Sequence, residues 1–575
     1  MTEVATLSEN WRFRRPVGTR WRLGAAVVGA FACLPIAALV TIASQGSEGL
    51  WPHMFTHVLP SALHQTLILL VGVGLVVAVI GTTTAWLVSA YDFPGRSILD
   101  WALLLPLAVP TYIVAYAYLD ILHPVGAVQG LIRDVLGYQS PREFRLPDIR
   151  SIWACILLLG LVLYPYVYLT TRAMFLTQAA NVVEVSRTLG TDQRAVFFRV
   201  ALPLARPAIA IGLSLALMET LNDIGASEFL GVKTLTVSIY TTWVTRNDLP
   251  AAAQIALAML VIVVLLILLE RYSRRNQRYA AGAQRPRALV PTPLRGLPGF
   301  AACLFCLVPV LLGFVAPAAY LLVEAFGRYQ FAGISPRIWS EIVNTVSISA
   351  LATAFILGCG CFLACSQRSQ PGRVTSVAAR ASTLGYAVPG TVLALGLLVP
   401  IGLFDRSVAR VSADLFGSSV GLVLLGSGTA LILAYTARFM GIATGGMEAG
   451  MARIPASLDQ AARMLGQTQA GVFRTVHLPL TRPALVSAGL LVFVDCMKEL
   501  PATLLLRPLN FETLATHLYG EAARGTYEEA SVAALLIVAI GILPVIVLSK
   551  VGRTRSREAS LAATPSSELD SQPSR

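Results

Sequence analysis

Lysine is nearly missing from this chain. Three occur in 575 residues: Lys233, Lys498 and Lys550. None stands in a G-x-x-x-x-G-K-[ST] setting, so the phosphate loop that cradles ATP in many nucleotide-hydrolysing proteins is not encoded here. The zinc-hydrolase pattern H-E-x-x-H is also missing, and no comparable catalytic constellation replaces it. Charge of either sign is scarce, with Asp, Glu, Lys and Arg together at 13%. A soluble domain of this length needs far more polar surface to cover its core.

Apolar residues fill the space that charge leaves. They make up 55% of the chain, and the mean hydropathy is +0.69. Long runs recur: Leu23–Ala43, Leu67–Ala90, and Ala251–Leu269, which carries no charge. About 20 such residues cross about 30 Å of hydrocarbon. The pattern predicts spans at 22–44, 63–90, 99–120, 151–176, 208–230 and 251–270. It predicts six more at 299–324, 344–365, 381–403, 417–437, 484–506 and 531–549. The first run is too long for a cleaved leader, and no small-residue cleavage site precedes a soluble domain. With the N-terminus in the cytoplasm, cytoplasmic segments together with the adjoining span-end residues Arg22 and Arg172 hold 31 Lys and Arg and external loops 12, Lys498 lying within a span. That bias places both termini inside. The net charge of +13 therefore reports topology, not a nucleic-acid patch.

The eight cysteines all fall inside predicted spans, where they read as small packing residues. Cys303-Leu-Phe-Cys306 has a metal-like spacing, but no second ligand pair completes it. His53, His57 and His64 gather near one external segment, either as an interfacial cluster or as an external metal-capture site.

The chain repeats itself. Glu184-Val-Ser-Arg-Thr-Leu-Gly190, then Pro203 and Arg206-Pro207, matches Gln460-Ala-Ala-Arg-Met-Leu-Gly466, then Pro479 and Arg482-Pro483, at an offset of 276. Glu219, Asn222, Asp223 and Ala226 align at the same offset with Asp495, Lys498, Glu499 and Ala502. Thr234-Leu235 and Tyr240 match Thr513-Leu514 and Tyr519 after a three-residue insertion, and Pro94-Gly-Arg96 resembles Pro371-Gly-Arg373. The expected organisation is a first repeat over 1–275, a basic, Pro-rich cytoplasmic linker over 276–298, a second repeat over 299–557 and a polar, disordered tail over 558–575. Six spans per half is an even number, so the halves enter the membrane in the same sense and a pathway on their shared axis follows.

In each half the repeated motif lies between the fourth and fifth spans, in cytoplasmic loops at about 181–207 and 452–483. It reads as a short helix, a glycine break, a second short helix and a Leu-Pro turn into the next span. Ser186, Ala461 and Ala462 are small enough for another protein to approach. Arg187 and Arg463 occupy the same place in the two copies. Gly190 and Gly466 permit a backbone turn that a β-carbon obstructs, and Pro203 and Pro479 stiffen the re-entry.

This pattern resembles the E-A-A-x-x-x-G loop of permeases in binding-protein-dependent ABC importers, and the likeness runs through nearly the whole chain, once per half. The first copy departs at Val185 and Ser186, and the second carries Gln460 in place of the acidic residue. The resemblance implies an all-α membrane protein of about 12 transmembrane helices in two parallel six-span repeats, in a bacterial inner membrane. It implies two copies of an ATPase subunit docked on the two loops and a solute-binding protein outside. ATP and Mg would be bound by the ATPase, and this chain would bind no cofactor. Asp495-Cys-Met-Lys498-Glu499-Leu-Pro501-Ala-Thr-Leu-Leu-Leu-Arg507-Pro508, with Asn222-Asp223-Ile-Gly-Ala226, is similar to the fused permeases of ferric-iron importers. Permeases for thiamine, phosphonate compounds and polyamines are relatives. A secondary transporter with parallel six-span halves also explains topology and buried charge, but not the duplicated loop.

Glu219, Asp223, Asp495, Lys498 and Glu499 lie in or at the edge of spans five and eleven, where a charge costs about 2.5–3.5 kcal/mol on insertion scales. With Asn222 they are the candidate lining of a polar pathway. Ferric ion is a hard cation that favours oxygen ligands. Lys498 alternatively neutralises Glu499 or Asp495 in a structural network.

Overall fold

The computed structural model describes residues 19–46, 51–177, 192–274, 291–418 and 420–561. Glu184, Ser186, Arg187 and Gly190 of the first loop lie outside the described residues. Among the described residues the fold is all-α apart from a two-residue parallel pairing of Tyr91–Asp92 with Thr292–Pro293. In the first half, the helices that shape the site are α1 (Thr19–Ala43), α2 (Leu59–Ala90), α3 (Arg96–Ala102), α4 (Thr111–Ile121), α5 (Ile152–Thr177), α6 (Leu202–Asn222), α7 (Gly225–Phe229), α8 (Leu235–Val244) and α9 (Leu249–Arg274). The second half supplies α10 (Leu297–Val310), α11 (Ala316–Ala332), α12 (Pro336–Ser369), α13 (Arg373–Ala387), α14 (Gly390–Phe416) and α15 (Thr429–Met451). It continues with α16 (Ala456–Met464), α17 (Leu478–Met497), α18 (Pro501–Leu506), α19 (Leu514–Arg524) and α20 (Tyr527–Leu561). Among the described residues eleven helices are long and apolar enough to cross a membrane, or twelve if the pair at 96–121, bent by 91°, is one span.

The helices gather into two compact units that cut across the sequence repeat. One joins the chain up to Ala38 with Ile348–Val388 and Gly396–Cys496; the other joins Leu39–Ser347, Pro389–Leu395 and the chain from Met497 onward. In the first, α1 packs on second-half helices. Trp21 stacks on Phe362 at 5.1 Å, and Ala25 and Ala32 share a core with Leu363, Ala378 and Met440. In the second, α10 and α11 join first-half helices: Tyr320 donates to Asp120 Oδ2 at 2.7 Å, and Cys306 and Leu321 share a core with Tyr164 and Tyr168. Each half thus lends its leading helix to the packing of the other. In lipid, helix association depends on close van der Waals contact rather than on a hydrophobic drive. At Gly396 a β-carbon would come within 2.2 Å of the Pro35 carbonyl oxygen, so only glycine allows that approach.

Four predicted spans prove to be broken, at matching places in the two halves. Span 99–120 breaks at Val109-Pro110, between α3 and α4, and span 381–403 at Val388-Pro389, between α13 and α14. The residue before a proline is driven out of helical geometry. Both valines are extended, with φ, ψ of −101°, 117° and −85°, 128°. Spans 208–230 and 484–506 break after Asn222 and Met497. A sum of apolar residues does not register these interruptions.

Two further expectations are corrected. The tenth span is not 417–437 but α15, Thr429–Met451. The apolar stretch before it is held as a loop by Asp405, whose two oxygens accept from the amides of Leu424 (2.8 Å) and Leu425 (3.0 Å). The Leu-Pro elements at 202–203 and 478–479 are not turns. Each follows a single π-helical turn, Phe197–Ala201 and Phe473–His477, and the helix runs on. Proline's ring clashes with the carbonyl four residues back and supplies no N–H. The preceding leucine amide reaches five residues back instead, to Phe197 O and to Phe473 O.

Candidate functional site

Breaking a helix at membrane depth leaves backbone groups that lipid cannot satisfy. Side chains at the breaks satisfy them. Asp223 is 6% exposed. Its Oδ2 accepts from the Ser227 amide (2.8 Å) and Ser227 Oγ (2.9 Å) at the start of α7, and its Oδ1 from Thr111 Oγ1 (2.6 Å) at the start of α4. One carboxylate therefore ties two broken spans together. Its repeat equivalent Glu499, 4% exposed, accepts from the Ala502 amide at 3.0 Å, at the start of α18. Asn222 Oδ1 accepts from the Gly390 amide at 2.8 Å, just past the Pro389 break. Gly225 admits Tyr112 so closely that a β-carbon would stand 2.5 Å from the tyrosine Cβ. The sequence places Asn222, Asp223 and Glu499 on a pathway; in this conformation they hold the breaks. Glu219, Asp495 and Lys498 are half-buried, and each has a polar interaction.

Past these breaks lies a cavity of about 730 Å³, lined from the ends of α8, α11, α12 and α18 and by α19. Tyr240 and Tyr519, equivalent positions in the repeat, both reach it. Their rings stand 6.4 Å apart and nearly perpendicular. Tyr519 donates to Glu228 Oε2. Two phenols and a carboxylate thus form a cluster of hard oxygen atoms. Glu228 was not among the expected site residues, and its repeat counterpart Leu504 gives no hint of it.

The same cavity wall carries paired charges. Arg328 meets Glu529 at 2.7 Å, Arg507 pairs with Glu512, and Arg524 with Glu521. His517 Nδ1 stands 3.0 Å from Glu341 Oε1, and Glu341 is 4% exposed. Burial alone would push the His517 imidazole down; the hydrogen bond to Glu341 and the field of Glu341, Glu521 and Glu512 outweigh it and hold the imidazole above its usual range. Among the described residues no three His, Cys, Asp or Glu side chains are grouped closely enough to hold a metal ion. His53 and His57 stack at 5.1 Å, away from this cavity.

The second repeat loop is described in full. Gln460, Ala461, Ala462 and Arg463 lie on α16, which ends at Gly466 with φ +80°. Only glycine takes that left-handed value freely. Met464 and Leu465 project at 88% and 84% exposure. Behind them, Asp459 accepts from Arg368 Nε (2.7 Å) on one oxygen and faces His477 Nε2 (2.8 Å) with the other. Arg368 also donates to the carbonyls of Met451 and Ile454, so one guanidinium gathers the end of α15 and the start of α16. Burial works against the Asp459 charge, but the hydrogen bonds from Arg368 and His477 hold its carboxyl below the usual range. None of these three residues stood out in the sequence. At the offset of 276, Asp459 and His477 correspond to Val183 and Ala201, which carry no charge.

Apolar helices, internally repeated and broken at matching places in the two halves beside buried polar groups, define a multi-pass membrane permease. The chain belongs to the family of binding-protein-dependent transport system inner membrane components, the permeases of ABC importers, which it matches twice, over residues 71–279 and 356–555. It is similar to the Fe(3+)-transport system permease protein FbpB 2 of Haemophilus influenzae, with 25% identity across 91% of this chain and 96% of that protein. It is also similar to the probable ABC transporter permease protein y4fN of Sinorhizobium fredii, with 23% identity across 87% and 89%. The molybdenum transport system permease protein ModB of Escherichia coli is 26% identical over 35% of this chain and 87% of its own.

Proposed function

We propose that this chain is the permease subunit of an importer for ferric iron, delivered by an external solute-binding protein and driven by ATP hydrolysed on separate ATPase subunits. The observation that carries the iron reading is the cluster of Glu228, Tyr519 and Tyr240 at the cavity, because carboxylate and phenol oxygens are hard donors that suit a hard cation. Likeness over nearly full length to a permease named for Fe(3+) supports it. A phosphonate anion would favour the cavity arginines, but three of these, Arg328, Arg507 and Arg524, are already paired with glutamates.

The bias of Lys and Arg supports cytoplasmic termini, with the 452–483 loop inside and the cavity outside. The exposed Met464 and Leu465 at the tip of α16 suit an apolar groove on an ATPase. Two loops on one chain imply two ATPase subunits per permease, with ATP and Mg bound there and no cofactor on this chain. Asp223, Asn222 and Glu499 hold the hinges of the broken spans, while Glu219, Asp495 and Lys498 contribute polar surface along the route. Uptake of labelled ferric iron, thiamine and a phosphonate into cells with and without this chain tests the solute. Iron uptake that depends on the chain is the expected result; dependence of thiamine or phosphonate uptake alone would reject it.

A further inference from the structure

The chain between α4 and α5 forms one more helix, Ala127–Leu136. Its polarity is the reverse of a water-facing helix. The polar side chains turn inward. Gln129 is 1% exposed and donates to the Leu122 carbonyl at 2.7 Å; Arg133, 7% exposed, donates to the Pro124 carbonyl at 2.8 Å. Gln129 Oε1 also accepts from the Leu146 amide at 3.1 Å, so the helix is tied both to the chain leaving α4 and to the chain entering α5. The aliphatic side chains turn outward. Leu131 is 66% and Val135 77% exposed, and Val128 and Leu136 are exposed as well. At 3.6 residues per turn these four share one face. Gly130 and the exposed Asp134 fall on the remaining arc.

The internal repeat keeps this stripe. Val128, Leu131, Asp134, Val135, Leu136 and Gly137 recur as Val408, Val411, Asp414, Leu415, Phe416 and Gly417 at the end of α14, at an offset of 280. Both glycines close their helix with a positive φ, +81° and +69°. Val411, Leu415, Phe416 and Asp414 are exposed, as their counterparts are. The inward groups differ. Here Asp405 accepts from the Leu424 and Leu425 amides, and Ser412 donates to the Ser418 carbonyl at 2.8 Å. What the two halves share is the outward apolar face, so that face answers to the surroundings and not to local packing.

We propose that both stripes rest in the interfacial layer of the phospholipid bilayer, with their aliphatic side chains among the upper acyl carbons and Asp134 and Asp414 turned to water. Amphipathic helices with such a face settle at the boundary of headgroups and acyl chains. Two observations favour lipid over a protein partner. The first-half helix is tied to the entry of α5, a membrane span whose Trp153 and Leu157, one turn apart, are exposed. Trp153, with the exposed Tyr138 just past the helix, is of the residue types that gather at headgroup level. The stripe is also wholly aliphatic in the first half, whereas a surface for transient docking is only about as apolar as the rest of a protein. The bilayer thereby sets the depth at which α4 ends and α5 begins. The topology proposed above makes this the outer leaflet; the interfacial placement does not depend on it.

The test uses the full-length protein in nanodiscs of phosphatidylethanolamine and phosphatidylglycerol, with no second protein present. Leu131→Cys, Asp134→Cys, Val411→Cys and Asp414→Cys are each labelled with a membrane-impermeant maleimide, and wild type serves as the blank for native thiols. Apolar surroundings raise a thiol's pKa and deplete the reactive thiolate. Asp134→Cys and Asp414→Cys should therefore react at least about tenfold faster than Leu131→Cys and Val411→Cys. All four should melt as wild type does and react alike once denatured in SDS. Each pair decides its own half. Equal rates within a pair overturn the proposal there: fast rates leave the stripe open to a protein partner, and slow rates show the helix covered on both sides. Faster reaction at 131 than at 134, or at 411 than at 414, overturns it as well.

Discussion

Asp459 and His477 stand 2.8 Å apart, one on the exposed loop helix α16 and the other in the π-helical turn that opens span α17. The contact links the proposed ATPase-docking helix to a membrane span through a side chain, 18 residues apart in sequence. Arg368 completes the link from the end of α12. The first half has Val183 and Ala201 in place of Asp459 and His477, so its sequence does not encode this link.

Removing Asp459 should uncouple the second loop without unfolding the protein. Asp459→Ala leaves Arg368 and the buried His477 without their carboxylate, at a cost of about 1–3 kcal/mol. ATPase activity in the assembled complex should become insensitive to the solute-binding protein, while Val183→Ala should leave stimulation intact. Normal stimulation in Asp459→Ala would reject the link.

Gly466 should tolerate no β-branched residue. Its φ of +80° costs a non-glycine residue roughly 1–2 kcal/mol. Gly466→Val should shift α16 and reduce recovery of the ATPase on co-purification, while membrane insertion stays normal. Unchanged recovery would count against docking through this helix.

The His517–Glu341 pair should leave a pH signature in stability. The folded imidazole titrates above its unfolded value. Its contribution is therefore fully present below the unfolded pKa, near 6.5, and is lost as pH rises through the folded value. The gap in melting temperature between wild type and His517→Gln should be widest at acidic pH and close on the alkaline side. A gap that does not vary with pH would show that the pair is not charged.

Asp223 should behave as a hinge. Asp223→Asn keeps an acceptor for the Ser227 amide and should cost little. Asp223→Ala removes it and should destabilise by about 0.5–2 kcal/mol, as for a lost helix cap. Thermal unfolding in detergent distinguishes this from a residue needed mainly for its charge, for which Asn and Ala would be equally harmful.

Tyr519→Phe should separate transport from fold. It deletes one hydroxyl that donates to Glu228 and leaves the ring stacked on Phe229 at 5.6 Å. Iron uptake should fall with ATPase recovery unchanged. Uptake at the wild-type level would remove Tyr519 from the route.

The sequence by itself determined that this protein lives in a membrane, that it is doubled, and where most of its spans lie, because hydropathy, charge bias and self-similarity are sums or matches along the chain. The tertiary structure decided what no sum along the chain contains. Spans five and eleven read as continuous apolar runs, yet both break. A break is tolerable only if orphaned amides find partners, and those of Ser227, Ala502 and Gly390 find Asp223, Glu499 and Asn222. The Gly390 amide and Asn222 are 168 residues apart. The Ala-Val-Pro triplets at 108–110 and 387–389 were visible in both halves and could have announced the matching breaks. The pairing of His517 with Glu341 could not be read, since its counterparts Ser238 and Ala62 carry no charge. That contact exists only because α12 and α19 fold against one another.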